Sequence, residues 1–152
     1  MSASVTPQRV VLTIPAEAWD ARRASVWLES SARAQDVPAE QIVRLDHCLD
    51  EVLANVVKHG GPTALASAVQ LEFCVVRGQD ICAAELLVVD AGTPFDPCAR
   101  PNGLKPMATC LAEADPGGLG LRMLRSFSDD LSYHRTNDRN HLTIRVRWSE
   151  AT

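Results

Sequence analysis

The sequence has no Cys-X-X-Cys pair, no excess of basic residues and no long apolar run, and each absence excludes a class of protein. The five cysteines are an odd number without paired spacing, which argues against a disulfide framework and favours a reducing compartment. The net charge of −4 gives no reason to expect a nucleic-acid partner. No apolar run approaches the roughly 18 residues that a membrane span needs, so no membrane partner is expected.

Two further absences concern metals and targeting. His47, Cys48 and His59 do not have the spacing of zinc-finger ligands, so a metal site built from histidine and cysteine is not expected. The N-terminal residues lack a basic stretch followed by an apolar one, which is the pattern of a signal peptide. Together these absences predict a cytoplasmic protein.

The size and composition that remain suit one globular domain. The chain has 152 residues, of which 46% are hydrophobic and 22% charged, enough to bury a core without covalent staples. Residues 1–8 are predicted to be a flexible tail, and residues 9–149 are predicted to form a single domain. No repeat and no domain linker interrupts this range.

Periodicity and breakers predict the order β-α-α-β-β-lid-α-β-β. The predicted strands cover residues 9–14, 68–76, 81–89, 130–135 and 141–148, and the predicted helices cover residues 16–34, 38–59 and about 119–127. The proline-rich stretch at about 93–117 is too long for an ordinary connection, so it is predicted to be a lid. Successive hairpins imply a mostly antiparallel mixed sheet. We therefore predict an α+β fold, a two-layer α/β sandwich with the helices on one face.

The second predicted helix carries a polar stripe. Glu51, Asn55 and His59 are spaced four apart, so they lie along one side of the helix, away from its main apolar face. Such a stripe is ordinarily the solvent side. A carboxylate and an amide one turn apart can also serve a phosphate–metal centre, because an amide oxygen can bind Mg²⁺ and a carboxylate can take a hydroxyl proton. His59 is given no catalytic role, since a histidine at a helix C-terminus interacts favourably with the helix dipole.

The second motif ends the apolar strand 83–89 with Asp90-Ala91-Gly92. A carboxylate at a strand end can accept a hydrogen bond from an exocyclic amine such as that of adenine. A glycine two residues later lets the backbone approach a flat base without a Cβ in the way. The alternative is an ordinary Asp-Ala-Gly turn, in which Phe95 packs under the lid.

The third motif, Gly117-Gly118-Leu119-Gly120, is predicted to be a loop that opens a helix. Glycines there expose backbone N–H groups, and a helix N-terminus favours anions, so a triphosphate would suit it. The motif has no Lys-Ser/Thr after it, which excludes a Walker loop, and no parallel βαβ unit surrounds it, which excludes a Rossmann fingerprint. The alternative is a flexible loop with a helix cap.

In this order, the three motifs resemble the Bergerat ATP-binding fold of gyrase, the ninety-kilodalton chaperone, histidine kinases and the mismatch-repair protein MutL. The likeness is strongest to the anti-sigma-factor serine/threonine kinases of bacterial partner-switching systems, stand-alone members of the GHKL superfamily. It extends over residues 9–148, nearly the whole chain. The N box, the two glycine boxes and the closing strand of that family resemble residues 45–60, 90–97, 117–126 and 139–144.

The resemblance implies roles for the first two motifs. Glu51 would be the general base, and Asn55 would hold Mg²⁺. Asp90 would bind the adenine amine, helped by Gly92.

It also implies roles near the C-terminus. Gly118 and Gly120 would lie against the phosphates of ATP, with Leu121 beside them in the nucleotide site. Thr143 would sit near the adenine pocket.

The implied function is an ATP- and Mg²⁺-dependent serine/threonine protein kinase and anti-sigma factor. Its substrate would be a hydroxyl of a STAS-type antagonist protein, its second partner a sigma factor, and its assembly a homodimer. The alternative is a non-catalytic module, in which nucleotide shifts the preference for one regulatory partner over another. The lid departs from the family because its basic residues are few, Arg100 and Lys105, and the sequence does not tell which of them, if either, reaches the γ-phosphate.

Overall fold

A computed structural model describes residues 7–15, 21–97 and 116–150. The strands are β1 (Val10–Pro15), β2 (Ala68–Arg77), β3 (Ile81–Asp90), β4 (Asp130–Thr136) and β5 (Arg139–Ser149). The helices are α1 (Ala21–Ala34), α2 (Ala39–His59), α3 (Gly61–Leu65) and α4 (Pro116–Phe127).

The strands form one five-stranded sheet in the order β1-β2-β3-β5-β4. All four pairings between described strands are antiparallel, and the last two strands are joined as a hairpin. The predicted mostly antiparallel sheet is thereby confirmed, and the parallel pair that a mixed sheet would add does not occur in the described part of the chain.

The helices pack on one face of the sheet, as predicted. Apolar side chains recur every three or four residues along α2, so Leu45, Leu49 and Leu53 are fully buried on one side of it. They meet the inward residues of the sheet, such as Phe73 and Ile144, because alternate side chains of a strand point to opposite faces. The two layers enclose one core.

Three differences from the prediction exceed a single residue. The breaker Gly60-Gly61-Pro62 does end α2, but the missed short helix α3 starts at Gly61, since a proline is tolerated in a first turn. Helix α4 starts at Pro116 rather than about residue 119 for the same reason. The last hairpin turns on only Asn137 and Asp138, both with positive φ (52° and 59°), which suits a two-residue turn.

Some predictions fall on residues that the structure does not describe. The tail at residues 1–6, the predicted start of the first helix at 16–20 and most of the predicted lid, 98–115, lie outside the described residues. None of the described helices combines the length and apolarity that a bilayer crossing needs.

Candidate functional site

A pocket opens where the C-terminal half of α2 faces the end of β3, the start of β5 and the segment after Asp90. About 420 Å³ of space, part of it continuous with open solvent, lies between these elements. The residues that line it are Val52, Asn55, Val56, His59, Gly60, Asp90, Thr93, Phe95, Pro97, Leu124, Tyr133, Asn140 and Leu142. About half of these residues are apolar and the others carry polar groups, a mixture that suits an organic ligand with flat faces and polar edges.

Helix α2 contributes Asn55 to the pocket. This side chain is buried, with 7% of its surface exposed, between the apolar neighbours Val52 and Val56. Its amide has no hydrogen-bond partner among the described residues. The amide atoms are not among the fully buried polar atoms that lack a partner, so they are open to the pocket and can meet a ligand there.

Glu51 lies one helical turn before Asn55 and is half-buried. It is not among the residues that line the pocket. The carboxylate therefore sits beside the pocket rather than in it.

Asp90 closes the pocket from the sheet. The carboxylate is buried at the end of β3, with 8% of its surface exposed. Its Oδ1 accepts hydrogen bonds from the backbone N–H of Gly92 (2.9 Å) and from Nδ2 of Asn140 (3.0 Å). No described residue donates to Oδ2, so one oxygen of a buried carboxylate is left for a donor in the pocket.

Gly92 is required by packing rather than by the approach of a base. A Cβ at this position would lie 2.8 Å from Asp90 Oδ1 and 2.8 Å from the Cα of Gly60. The turn after β3 is therefore pressed against the end of α2. Thr93 ties the two together, because its N–H donates to Gly60 O (3.0 Å) and its Oγ1 to His59 O (2.9 Å).

Two aromatic rings stack on each other next to this turn. The rings of His59 and Phe95 lie 5.0 Å apart, with 14° between their planes. The position fits the expectation that Phe95 packs next to the segment leading to the lid. Beyond it, the Pro97 carbonyl accepts a hydrogen bond from Arg125 on α4 (3.1 Å), which joins the start of the lid region to that helix.

Asn140 is the site residue that the sequence analysis missed. It is buried, lines the pocket and bonds directly to Asp90. The alternation of β5 could have revealed it, because Asn140 is the polar member of an inward series that continues with Leu142, Ile144 and Val146. A polar residue at an inward strand position needs a partner.

Thr143 is not brought to the pocket. It pairs with Leu87 and Ser132 across the sheet and lies beside Glu72 and Glu85 in a separate surface depression. The reason is the period of two along a strand: Leu142 points into the pocket, so its neighbour points to the opposite face. The expected position near the adenine pocket is corrected to the helix-free face of the sheet.

The glycine motif lies inside α4 rather than in a loop. Gly118, Gly120 and Leu121 fall in its first turns, since the helix begins at Pro116. Their side-chain surroundings are outside what the structure describes. Lower on the same helix, Leu124 is buried and lines the pocket, so α4 does reach the site.

The described residues contain no group of three or more His, Cys, Asp or Glu side chains placed to hold a metal ion. A metal held mainly by the protein is therefore not supported among them. Mg²⁺ often keeps its waters and takes one or two protein ligands while it bridges phosphates, and the unpartnered amide of Asn55 fits that mode.

Three comparisons with known proteins agree with this geometry. The sequence profile of the histidine kinase-like ATPase domain matches residues 14–146. The serine/threonine-protein kinase BtrW of Bordetella bronchiseptica is 34% identical over 133 residues, covering 88% of this chain and 89% of that protein. A crystal structure of the RsbU and RsbW domains of a Mycobacterium tuberculosis protein matches 95% of this chain with a TM-score of 0.63 and 17% identity. This chain spans 33% of that longer one, and the likeness shows the fold alone.

Proposed function

The chain belongs to the histidine kinase-like ATPase family, and from that premise we propose that it is an ATP- and Mg²⁺-dependent serine/threonine protein kinase. The observation that carries the proposal is the convergence of Asn55 and Asp90 on one pocket, with Glu51 one turn away on the same helix. A relative 34% identical is named a serine/threonine-protein kinase, which supports the reaction class.

The adenine end of ATP would lie against Asp90. The free Oδ2 is an acceptor, and the exocyclic amine of adenine is a donor. The apolar lining of Val52, Val56 and Leu142 would cover the faces of the base. Water is excluded from most of this contact because Asp90 is buried, so the hydrogen bond would be strong.

The phosphate end would extend toward Asn55 and the first turns of α4, which contain Gly118, Gly120 and Leu121. Asn55 would hold Mg²⁺ through its amide oxygen. When bound, Mg²⁺ would neutralise charge on the phosphates of ATP. The N-terminus of α4 would favour the remaining negative charge through its unpaired N–H groups.

Glu51 would receive the proton of the attacking hydroxyl. In the proposed step the serine or threonine oxygen forms a bond to the γ-phosphorus, the bond from that phosphorus to the bridging oxygen breaks, and ADP leaves. The half-buried position of Glu51, beside rather than inside the pocket, is where a protein substrate could present its hydroxyl.

The proposed substrate is a STAS-type antagonist protein, and the proposed second partner is a sigma factor that the kinase sequesters as a cytoplasmic homodimer. The resemblance of the three sequence motifs to the anti-sigma-factor kinases of partner-switching systems supports this choice of partners. A specific observation favours a second candidate, a nucleotide-dependent binding module without turnover: Glu51 does not line the pocket.

Calorimetric titration with ATP, with and without Mg²⁺, tests the site. Saturable binding that strengthens with Mg²⁺ is expected, and no binding at millimolar ATP would refute the proposal. Incubation with ATP and a purified STAS-domain antagonist, followed by intact-mass measurement, then separates the two candidates. The kinase adds a phosphoryl group to the antagonist, whereas the binding module changes only its affinity for it.

A further inference from the structure

We propose that Asn140 is a specificity-positioning residue that fixes the hydrogen-bonding polarity of the subsite formed with Asp90, so that the site accepts a purine carrying an amine and rejects one carrying a carbonyl. The inference rests on the proposed function in one respect, because it takes the pocket to bind a purine nucleotide. It goes beyond that function by assigning the choice among purines to a particular residue, Asn140.

The Asn140 side chain is fully hydrogen-bonded. Its Oδ1 accepts from Tyr133 Oη (2.6 Å) and from Arg135 Nη1 (2.9 Å). Its Nδ2 donates to Asp90 Oδ1 (3.0 Å) and to the Thr93 carbonyl (2.9 Å). Two lone pairs and two N–H bonds are thus all used in a buried position.

These partners allow only one orientation of the amide. A guanidinium cannot accept a hydrogen bond, so the Asn140 oxygen must face Arg135. A carbonyl cannot donate, so the nitrogen must face Thr93. A flipped amide would set donor against donor and acceptor against acceptor. The direction of the bond to Asp90 is therefore determined by the surrounding groups.

The fixed amide leaves Asp90 with a single role. Its Oδ1 is filled by Asn140 and by the N–H of Gly92, and its Oδ2 remains for the ligand. Because Asn140 Nδ2 donates to Oδ1, Asp90 presents Oδ2 to the pocket as an acceptor. An amine at C6 of a purine meets this acceptor, whereas a carbonyl at C6 would face it oxygen to oxygen.

The residues that fix the orientation of the Asn140 amide lie on the last hairpin. Tyr133 and Arg135 both lie on β4, and Asn140 starts β5. Arg135 also donates to the Gly92 carbonyl (2.9 Å), so it holds the turn that carries the Asp90 contact as well. Since Arg135 does not line the pocket, any effect of Arg135 on base choice must pass through these bonds.

The test replaces Asn140 by its acidic isostere and measures ADP and inosine diphosphate (IDP) binding by calorimetry at several pH values. IDP differs at C6, where a carbonyl replaces the amine. Asn137→Asp is the matched control, because it makes the same change in the exposed turn of the same hairpin.

The control also accounts for other titrating groups near the pair. His59 and Tyr133 line the pocket, Arg135 contacts Asn140, and His141 is the next residue on β5. These groups are present in both variants, so a pH effect that they cause by themselves appears in both. A pH effect found only in Asn140→Asp therefore arises from the altered pair.

The wild type is expected to prefer ADP to IDP by about 10- to 100-fold. In Asn140→Asp, two adjacent carboxylates repel each other, and ADP affinity should fall by about 10- to 100-fold at about pH 8.5. Acidification to about pH 5.5 adds a proton, and the protonated side chain again donates to Asp90. Most of the lost affinity should then return, because the polarity of the subsite is restored.

The outcomes separate the two proposals. A wild type that binds neither nucleotide overturns the proposed function and this inference with it. If the wild type binds ADP but Asn140→Asp and Asn137→Asp have the same nucleotide affinities at every pH, this inference alone is overturned. The inference is also overturned if Asn140→Asp loses affinity for ADP and for IDP equally and does not regain it in acid. A residue with only a structural role would behave in that way.

A second variant covers the case in which Asn140→Asp does not fold. Arg135→Met removes an exposed side chain, and Arg139→Met in the same hairpin is its control, since no described residue is hydrogen-bonded to that guanidinium. The ratio of ADP affinity to IDP affinity should fall by about threefold to tenfold in Arg135→Met and stay unchanged in Arg139→Met. An unchanged preference would overturn the inference.

Discussion

At the scale of single residues, the pocket is defined by polar groups that are buried next to an apolar core. Asp90 and Asn140 are held there by hydrogen bonds to each other and to the backbone. Asn55 is held there without any described partner, and Glu51 stands at the edge. Each environment implies a different chemical task, and substitution tests these tasks separately.

Glu51→Gln should bind ATP with unchanged affinity and transfer no phosphoryl group. The amide keeps the size of the side chain but cannot take the proton of the attacking hydroxyl, and loss of a general base costs about 10²- to 10⁴-fold in rate. Phosphorylation of the antagonist and calorimetry measure the two properties. Glu40→Gln, an exposed change on the same helix, is the control, and equal transfer by both variants would remove Glu51 from its role.

Asn55→Ala should lower ATP affinity only when Mg²⁺ is present. The truncation removes the amide oxygen proposed as the metal ligand, and we expect a loss of about tenfold or more. Calorimetry with Mg²⁺ and with EDTA measures it, and the metal-free titration is the internal control. Equal losses in both titrations would show that Asn55 contacts the nucleotide and not the metal.

Cys48 should resist alkylation in the folded protein. Burial raises the pKa of its thiol to about 12, although the nearby charge of Arg44 acts in the opposite direction. At pH 8 almost no reactive thiolate is therefore present. Peptide mapping after iodoacetamide treatment should find Cys48 modified only when the protein is denatured first, and rapid native labelling would contradict the packing of α2 against α4.

At the scale of elements, the site depends on how the turn after β3 sits between α2 and the last hairpin. Thr93 bonds to the end of α2, and Arg135 bonds to the Gly92 carbonyl from β4. The turn is thus hydrogen-bonded both to the helical layer and to the sheet. A change in its packing should therefore affect both stability and ligand binding.

Gly92→Ala should destabilise the fold by about 1–3 kcal/mol and weaken ADP binding at least about tenfold. The added Cβ would overlap the Gly60 backbone and the Asp90 carboxylate, both at 2.8 Å, so the turn must shift. Gly61→Ala separates the two effects: its positive φ (73°) makes alanine strained, but the nearest atom is 3.8 Å away. That control should lose stability while ADP affinity stays nearly unchanged, as chemical denaturation and calorimetry would measure.

At the scale of the whole molecule, an ion cluster whose members do not line the pocket joins the helical layer to the sheet. Arg44 on α2 donates two hydrogen bonds to Asp129, and the backbone N–H of Arg147 donates a third (2.6 Å). Burial raises the pKa of Asp129, but the bonds from Arg147 and Arg44 outweigh it, so the net pKa is lowered. The cluster therefore stabilises the protein only while this carboxyl is ionised.

Asp129→Asn should lower stability near neutral pH and have little effect in acid. A carboxyl whose folded pKa is depressed stabilises above its unfolded pKa of about 4, and this stabilisation is lost as pH falls through the folded pKa. Urea denaturation at pH 7 and at about pH 3 measures the difference. Asp138→Asn, in the exposed turn, is the control, and a difference that persists in acid would contradict the electrostatic origin.

Across these scales, the sequence by itself determined the elements and most of the pocket. The amphipathic period of α2, the alternation of the β2–β3 hairpin and the polar residues at fixed offsets from glycines are local patterns. They predict that Asn55 and Asp90 face a common site, and both line the pocket, because each side chain's direction follows from its own helix or strand. Their roles stay predictions. The family follows from the same motifs, and the profile match over residues 14–146 confirms it.

Only the tertiary structure decided which long-range partners meet. Asn140 lies 50 residues from Asp90, and Arg135 reaches the Gly92 carbonyl across 43 residues, so neither contact leaves a local pattern. The misplacement of Thr143 has the same origin, since a shift of one residue along a strand exchanges the two faces of the sheet. The direction of a side chain relative to a distant pocket is set by strand register and layer packing, and these become determined only when the whole core forms.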